Sequence, residues 1–171
     1  MKRFIYAFVS VLILSMGFNH AYAEQAQTQV DKNLVKVAAT NDNFQTLVMA
    51  IRAADLTGTL EGKGPFTLLA PTDEAFEMLP EGALAELLKP ENKEQLQKLI
   101  TYHLLPSAIS SSAASQLKLP ETVEGHPLTI EHTDDDGLRI NGAKVIEADI
   151  PATNGVIHVI DKVLIPPADA E

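Results

Sequence analysis

The sequence predicts an α+β fold, because helical patterns occupy its first half and strand patterns its second half. The clearest helical signal is a set of apolar residues at helical spacing, namely Phe44, Leu47, Val48, Ile51 and Ala54. The clearest strand signal is the pair Asn141-Gly142, which favours a two-residue turn between antiparallel strands. We therefore expect helices first and an antiparallel meander after them.

The helical half begins with a packed segment at residues 34–39. Asp42, with Gln45 three residues later, predicts the N-cap of the amphipathic helix that follows. Two further helical patterns cover residues 83–88 and 93–101, each with apolar residues on one face. The helical half is expected to end near position 103.

A short strand interrupts these helices. Residues 66–70 form an apolar run that ends at Pro71, as expected for a buried strand. Thr72 is a capping residue, and the carboxylates of Asp73 and Glu74 suit the positive end of the helix that it would start. Capping explains this acidic pair without a catalytic role.

The second half shows strand periodicity after a stretch rich in serine and alanine at residues 107–115. The acidic tip at residues 134–136 and the Asn141-Gly142 pair separate apolar segments into hairpins. The final segment is apolar at nearly every position, which is typical of a strand buried on both faces. The predicted strands are 128–131, 138–140, 143–150 and 156–164.

The N-terminus has the pattern of a secretion signal. Lys2 and Arg3 precede an apolar run at residues 4–18, which falls short of the roughly 20 residues that span a membrane. Ala21 and Ala23 supply the small residues that signal peptidase requires. We therefore expect a cleaved signal at 1–23, a flexible leader at 24–32, one domain at 33–166 and a tail at 167–171, in a secreted or periplasmic protein.

Charge and composition exclude several classes of protein. The sequence has no cysteine, so it can form neither a disulfide nor a thiolate metal site. Its formal net charge is −10, and it becomes still more negative when Lys2 and Arg3 leave with the signal. Such a surface repels the phosphates of nucleic acids and of anionic lipids. We expect no nucleic-acid partner and no membrane span after cleavage.

No catalytic or cofactor motif is recognisable. The chain lacks a nucleophile elbow, a zinc-protease helix motif and a phosphate-binding loop. His103, His126, His132 and His158 do not have metal-ligand spacing with one another, and His158 lies on an apolar strand, where we expect a buried, hydrogen-bonded imidazole. His126 and His132 each lie near a glutamate, which leaves a weak surface metal site as the alternative. We predict a non-enzymatic protein with no cofactor.

Three segments together resemble the motifs of the fasciclin domain family. They are GPFTLLAPTDEAF at residues 64–76, the pair Tyr102-His103, and NGVIHVIDKVL at residues 154–164. The resemblance extends from about Asn33 to Pro166. The motif residues to which we give a structural role are Gly64, Phe66, Pro71, Thr72, Asp73, Phe76, Asn154, Gly155, His158 and Asp161.

The resemblance implies a wedge of strands with helices packed on one side, and a role in adhesion or in binding an extracellular protein or surface polysaccharide. In animal adhesion members, a Glu-Pro-Asp-Ile segment and the Tyr-His pair are implicated in partner recognition. Here Glu147, Asp149 and Ile150 match the first, although alanine replaces the proline, and Tyr102-His103 matches the second.

Other interpretations of these residues stay open. Tyr102 and His103 are flanked by aliphatic residues, which favours a structural role, because such a tyrosine buries its ring and bonds its hydroxyl. A plain solvent-exposed strand face would explain Glu147 and Asp149 equally well. The alternative function is that of a carrier of an apolar small molecule, which the resemblance to some fasciclin relatives also implies. We expect a monomer in either case.

Overall fold

A computed structural model describes residues 32–114, 116, 117, 119–133 and 137–167. The predicted signal, the acidic tip at 134–136 and residues 168–171 lie outside the described residues, as does the leader up to residue 31. The helices are α1 (Leu34–Ala39), α2 (Gln45–Ala53), α3 (Thr57–Leu60), α4 (Asp73–Glu77), α5 (Ala83–Leu87), α6 (Lys93–Tyr102) and α7 (Ser111–Ala114). The strands are β1 (Phe66–Pro71), β2 (Leu104–Leu105), β3 (Ile130–Thr133), β4 (Gly137–Ile140), β5 (Ala143–Ala152) and β6 (Gly155–Ile160).

The strands form one six-stranded sheet in the order β2-β1-β6-β5-β4-β3. Strands β3 to β6 form the predicted antiparallel meander, and the Asn141-Gly142 turn has positive φ at both residues. Strand β1 pairs in parallel with β6, from Phe66 opposite Gly155 to Pro71 opposite Ile160. The predicted α+β class is confirmed, and the mixed sheet brings the first and third sequence motifs side by side.

The core lies on both faces of the sheet. Along β1, Leu68 and Ala70 face the cluster formed with the helices, while Leu69 faces a second cluster. Along β6, Ile157 and Ile160 divide in the same way. This alternation follows from the two-residue period of a strand. The prediction that the last strand is buried on both faces is confirmed.

Several predicted boundaries differ in the structure. Asn41, not Asp42, accepts the N–H of Asn43 and caps a 3₁₀ turn at Asp42–Phe44, after which α2 begins. Strand β6 ends at Ile160, although the next residue still bonds β5: the Asp161 N–H donates to the carbonyl of Lys144, and the Asp161 carboxylate accepts the Lys144 N–H. The strand predicted at 128–131 begins only at Ile130, so Leu128 precedes β3, and its side chain is fully buried.

Candidate functional site

The first and third motifs meet where β1 and β6 begin. A Cβ atom on Gly64 would lie 1.9 Å from the carbonyl oxygen of Asn154, and one on Gly155 would lie 2.0 Å from that of Phe66. Neither distance is possible for two non-bonded atoms, so both positions need glycine. The close approach of the two backbones therefore excludes a side chain at both motif positions.

Asn154 joins three segments with its side chain. Its Oδ1 accepts the N–H of Leu34 at 3.0 Å, and its Nδ2 donates to the carbonyls of Leu60 at 2.7 Å and Gly62 at 2.9 Å. Its own carbonyl accepts the N–H of Phe66. The amide thus fixes α1 and the turn after α3 to the end of the sheet.

The motif around α4 is also structural. Thr72 Oγ1 accepts the N–H of Ala75 at 3.2 Å, which confirms the predicted cap. The Asp73 carboxylate instead accepts the N–H groups of Thr46 at 2.7 Å and Gln45 at 3.3 Å, at the start of α2. Asp73 therefore caps a helix 27 residues away in sequence. Phe76, on the next turn, is buried in the core.

Tyr102 is 3% exposed, and its hydroxyl oxygen accepts a 2.6 Å hydrogen bond from Nδ2 of Asn141. Burial raises the pKa of this hydroxyl, the Asn141 bond opposes that rise, and the nearby Glu124 charge adds to it. Asn141 also bonds the backbone of Thr129 through its side chain and its N–H. Tyr102 therefore fixes the end of α6 to the β4–β5 turn.

His103 is 1% exposed and bridges two backbone groups. Its Nδ1 donates to the carbonyl of Leu99 at 2.7 Å, and its Nε2 accepts the N–H of Leu164 at 3.0 Å. This pattern requires the neutral ring. Burial lowers its pKa to about 4, although the bond to the Leu99 carbonyl acts in the opposite direction.

His158 is the second buried imidazole, at 1% exposure. Its Nδ1 accepts the N–H of Asp149 at 3.2 Å, so its Nε2 carries the proton and donates to the carbonyl of Ile109 at 2.7 Å. The expected hydrogen-bonded, buried imidazole is confirmed. It fixes β5 and the segment before α7 to β6.

Strand β5 is irregular between Val145 and Ile150, where its register with β6 shifts twice. Asp149 lies in this irregular stretch with φ of 61°, a conformation that few residues other than glycine adopt. Its carboxylate accepts the N–H of Ser111 at 2.8 Å and also the Ser111 hydroxyl. Burial acts to raise the pKa of Asp149, but the Ser111 bonds and the nearby His158 lower it below its usual value.

The register shifts decide which β5 side chains reach solvent. Ile146 is 58% exposed, and Glu147 and Asp149 are exposed as well. Ile150, the apolar residue expected to contact a partner, is only 8% exposed and packs in the core. We call Ile146, Glu147 and Asp149 the β5 ridge. Ile146 is not among the site residues predicted from the sequence. The one available signal is that two adjacent apolar residues, Val145 and Ile146, break the alternation expected of a strand.

A shallow cavity of about 260 Å³ lies beside the β5 ridge. Ile146 and Glu147 form one side of it, and Asn43 and Glu74 lie on the other. The carboxylates around this cavity make the neighbourhood of the ridge acidic. Tyr102 and His103, by contrast, are buried elsewhere in the fold and are not part of this surface.

A second concave surface is mostly apolar. This groove, of about 460 Å³, lies between α5 and α6 on one side and the segment after β6 on the other. Its apolar lining includes Leu79, Ala83, Leu87, Leu99, Val163 and Ile165. Polar side chains also line it, among them Lys98 and Glu124.

Among the described residues, no group of three or more histidine and acidic side chains could hold a metal ion. His126 Nδ1 lies 2.6 Å from Oε2 of Glu124, which makes an ion pair when the imidazole is protonated. In the same part of the chain, no helix has the length and apolar character that crossing a membrane requires.

Comparison with known proteins agrees with this geometry. The family described as the fasciclin domain matches residues 42–166. Protein sll1483 of Synechocystis is 45% identical over 147 residues, covering 86% of this chain and 81% of that protein. Transforming growth factor-beta-induced protein ig-h3 of Sus scrofa is 41% identical over 138 residues, covering 80% of this chain and 20% of that protein.

Among solved structures, a FAS1 domain pair from the insect cell adhesion molecule Fasciclin I has a TM-score of 0.71 at 16% identity. The match covers 80% of this chain and 52% of that one, and it establishes a shared fold. The chain belongs to the fasciclin domain family, and its α+β architecture is the fasciclin fold. The resemblance seen in the sequence is confirmed.

Proposed function

We propose that this chain is an exported, non-enzymatic adhesion domain that binds an extracellular or envelope partner through the β5 ridge. The observation that carries the proposal is the exposure of Ile146, 58%, on a strand whose other isoleucine, Ile150, is buried in the core. Interfaces commonly place an apolar side chain at their centre and charged groups around it. Glu147 and Asp149 supply those charges.

The acidic character of the ridge favours a partner with cationic groups. Glu147, Asp149 and Glu74 carry negative charge close to Ile146, and the whole chain is acidic. Complementary charges raise the association rate and make it sensitive to salt. We propose a secreted or periplasmic location and a monomeric state, with a protein or a surface polysaccharide as the partner.

The buried candidate residues have an indirect role in this proposal. Asp149 is held by Ser111, and its N–H donates to His158, so the ridge is fixed from two sides. Tyr102 and His103 fix α6 to the β4–β5 turn and to the chain after β6. These hydrogen bonds favour positioning roles for Tyr102 and His103. Direct contact with the partner is proposed only for the β5 ridge.

The test uses residues 24–171, labelled and added to envelopes and medium from the producing cells. Glu147→Lys should reduce binding at least fivefold at low salt, and the difference should shrink as salt is added. Protease treatment of the envelope should abolish binding if the partner is a protein, and periodate treatment if it is a polysaccharide. Equal binding of the charge-reversed and parent domains would overturn the proposal.

The second candidate function is transport of an apolar small molecule, which the apolar groove favours. Its volume lies within the range of about 300–1,000 Å³ that small-molecule sites occupy. Its two walls are lined by aliphatic side chains, with Lys98 and Glu124 among them. An elongated hydrocarbon with one polar end matches this combination best.

Groove occupancy is measured with the fluorescent apolar probe 1-N-phenylnaphthylamine and with native mass spectrometry of protein from the producing cells. Ala83→Trp should fill the groove and remove the probe signal. Met49→Trp is the control, because Met49 is exposed and does not line the groove. Loss of probe in both variants, or in neither, would count against the carrier function.

A further inference from the structure

The chain changes direction after β6 and becomes one wall of the apolar groove. Residues 163–167 have no regular secondary structure, and Val163, Ile165, Pro166 and Pro167 line the groove. Leu164 points the other way and is buried in the second core cluster. We call residues 163–167 the C-terminal wall.

Few hydrogen bonds hold this wall in place. Within the described part of the chain, the bond from the Leu164 N–H to His103 Nε2 is the hydrogen bond found for the C-terminal wall. Wall residues 166 and 167 are prolines and have no N–H to donate. The anchoring of the wall therefore depends on one hydrogen bond, on the burial of Leu164 and on the packing of half-buried Val163 against the first core cluster.

The same imidazole contacts the opposite side of the groove. His103 Nδ1 donates to the carbonyl of Leu99, and the Leu99 side chain lines the groove on α6. The ring thus lies between Leu99 of one wall and Leu164 of the other, at 2.7 Å and 3.0 Å. A rigid ring bonded to both walls sets their separation.

We propose that His103 is the latch of the apolar groove: it holds the C-terminal wall against α6, and loss of its Nε2 acceptor lets this wall move and admits an apolar ligand. The ligand part of this inference rests on the second proposed function. The movement of the wall does not, because it is measured without a ligand.

The test compares three forms of the full domain. His103→Leu removes both hydrogen bonds, whereas His103→Gln keeps an acceptor near the position of Nε2. Amide exchange by NMR should show the Leu164 N–H exchanging at least tenfold faster in His103→Leu, with the Ile157 N–H of β6 unchanged. His103→Gln should restore most of the protection.

Uniform acceleration of the Leu164 and Ile157 amides in a folded His103→Leu would overturn the latch, since the ring would then only stabilise the whole domain. If His103→Leu does not fold, His103→Asn replaces it, because the shorter amide places no acceptor near the position of Nε2; a latch predicts a selective change at Leu164 in that variant too. The probe 1-N-phenylnaphthylamine should bind His103→Leu at least threefold more tightly than the parent. Selective exchange without any probe binding would support the latch and contradict the carrier function.

Discussion

The carboxylate of Asp149 accepts the backbone N–H of Ser111 at 2.8 Å, across 38 residues of sequence. This contact satisfies the first N–H of α7 and at the same time fixes the irregular stretch of β5. An acidic residue that the family resemblance offers as a candidate for partner recognition is therefore already engaged inside its own domain.

Asp149→Ala should lower the free energy of unfolding by about 1–2 kcal/mol, because it removes a helix-capping interaction. It also places alanine at a positive φ, which alanine adopts less readily than aspartate does. Asp149→Asn should cost less, since asparagine tolerates this conformation and keeps one acceptor oxygen. Urea unfolding followed by circular dichroism measures both. A larger loss for asparagine than for alanine would contradict the assigned cap.

Asn154→Ala should destabilise the domain by about 2–3 kcal/mol, because it leaves the Leu34 N–H and the carbonyls of Leu60 and Gly62 without this partner. Asn43→Ala is the matched control, as Asn43 is exposed and its change should cost under about 0.5 kcal/mol. The measurement is again the urea midpoint. Similar midpoints for the two variants would show that Asn154 is not a hub.

Gly64→Ala should prevent folding or lower stability severely, since its Cβ would lie 1.9 Å from the backbone of Asn154. Gly58→Ala offers the reverse case: Gly58 lies in α3, and its added Cβ meets nothing within 4 Å. This second change should stabilise the domain by about 0.5–1 kcal/mol, because alanine favours helix more than glycine. Thermal unfolding of the two variants distinguishes backbone packing from helix propensity.

Stability should fall as the pH is lowered from about 6.5 to 4, because burial depresses the pKa of His103 in the folded state to about 4. In that window the unfolded chain binds a proton that the folded chain refuses, so acid favours unfolding. The contribution is complete above about pH 6.5 and amounts to about 3 kcal/mol lost by pH 4. Carboxylates also titrate near pH 4, so the parent is compared with His103→Gln.

The pH dependence of the unfolding free energy is measured for both forms between pH 8 and 4. The parent should lose more stability than His103→Gln across this interval. Parallel curves would mean that the buried imidazole does not couple to unfolding. The difference in slope between the two curves is the decisive quantity, because the replacement by itself only shifts the His103→Gln curve vertically.

Local signals carried most of the secondary structure. The cap at Thr72 and the Asn141-Gly142 turn follow from short-range chemistry, and the structure has both. The parallel pairing of β1 with β6 could not be predicted from periodicity, because it joins strands far apart in sequence. The resemblance to the fasciclin family predicted the overall fold, which the periodicity of the sequence alone could not.

The candidate site was less predictable for the same reason. Asp73 lies at the start of α4, where a carboxylate is expected to favour its own helix. In the fold, however, its carboxylate caps α2, whose first turn is 27 residues away in sequence. In a regular β5, Ile146 and Ile150 would share the face opposite Glu147 and Asp149. The strand has two register shifts, and Ile146 is exposed while Ile150 stays buried. Such shifts depend on contacts with Ser111 and His158 that no local pattern encodes.

Paired serine substitutions test whether the β5 ridge contacts the partner. Ile146 on β5 and Met49 on α2 are 58% and 56% exposed, so Ile146→Ser and Met49→Ser remove similar apolar surface from different elements. Both variants should retain the parent stability within about 0.5 kcal/mol. The affinity of each for the envelope is measured by titration. Ile146→Ser should bind at least tenfold more weakly with Met49→Ser unchanged, whereas equal affinities for the two variants would show that Ile146 does not contact the partner.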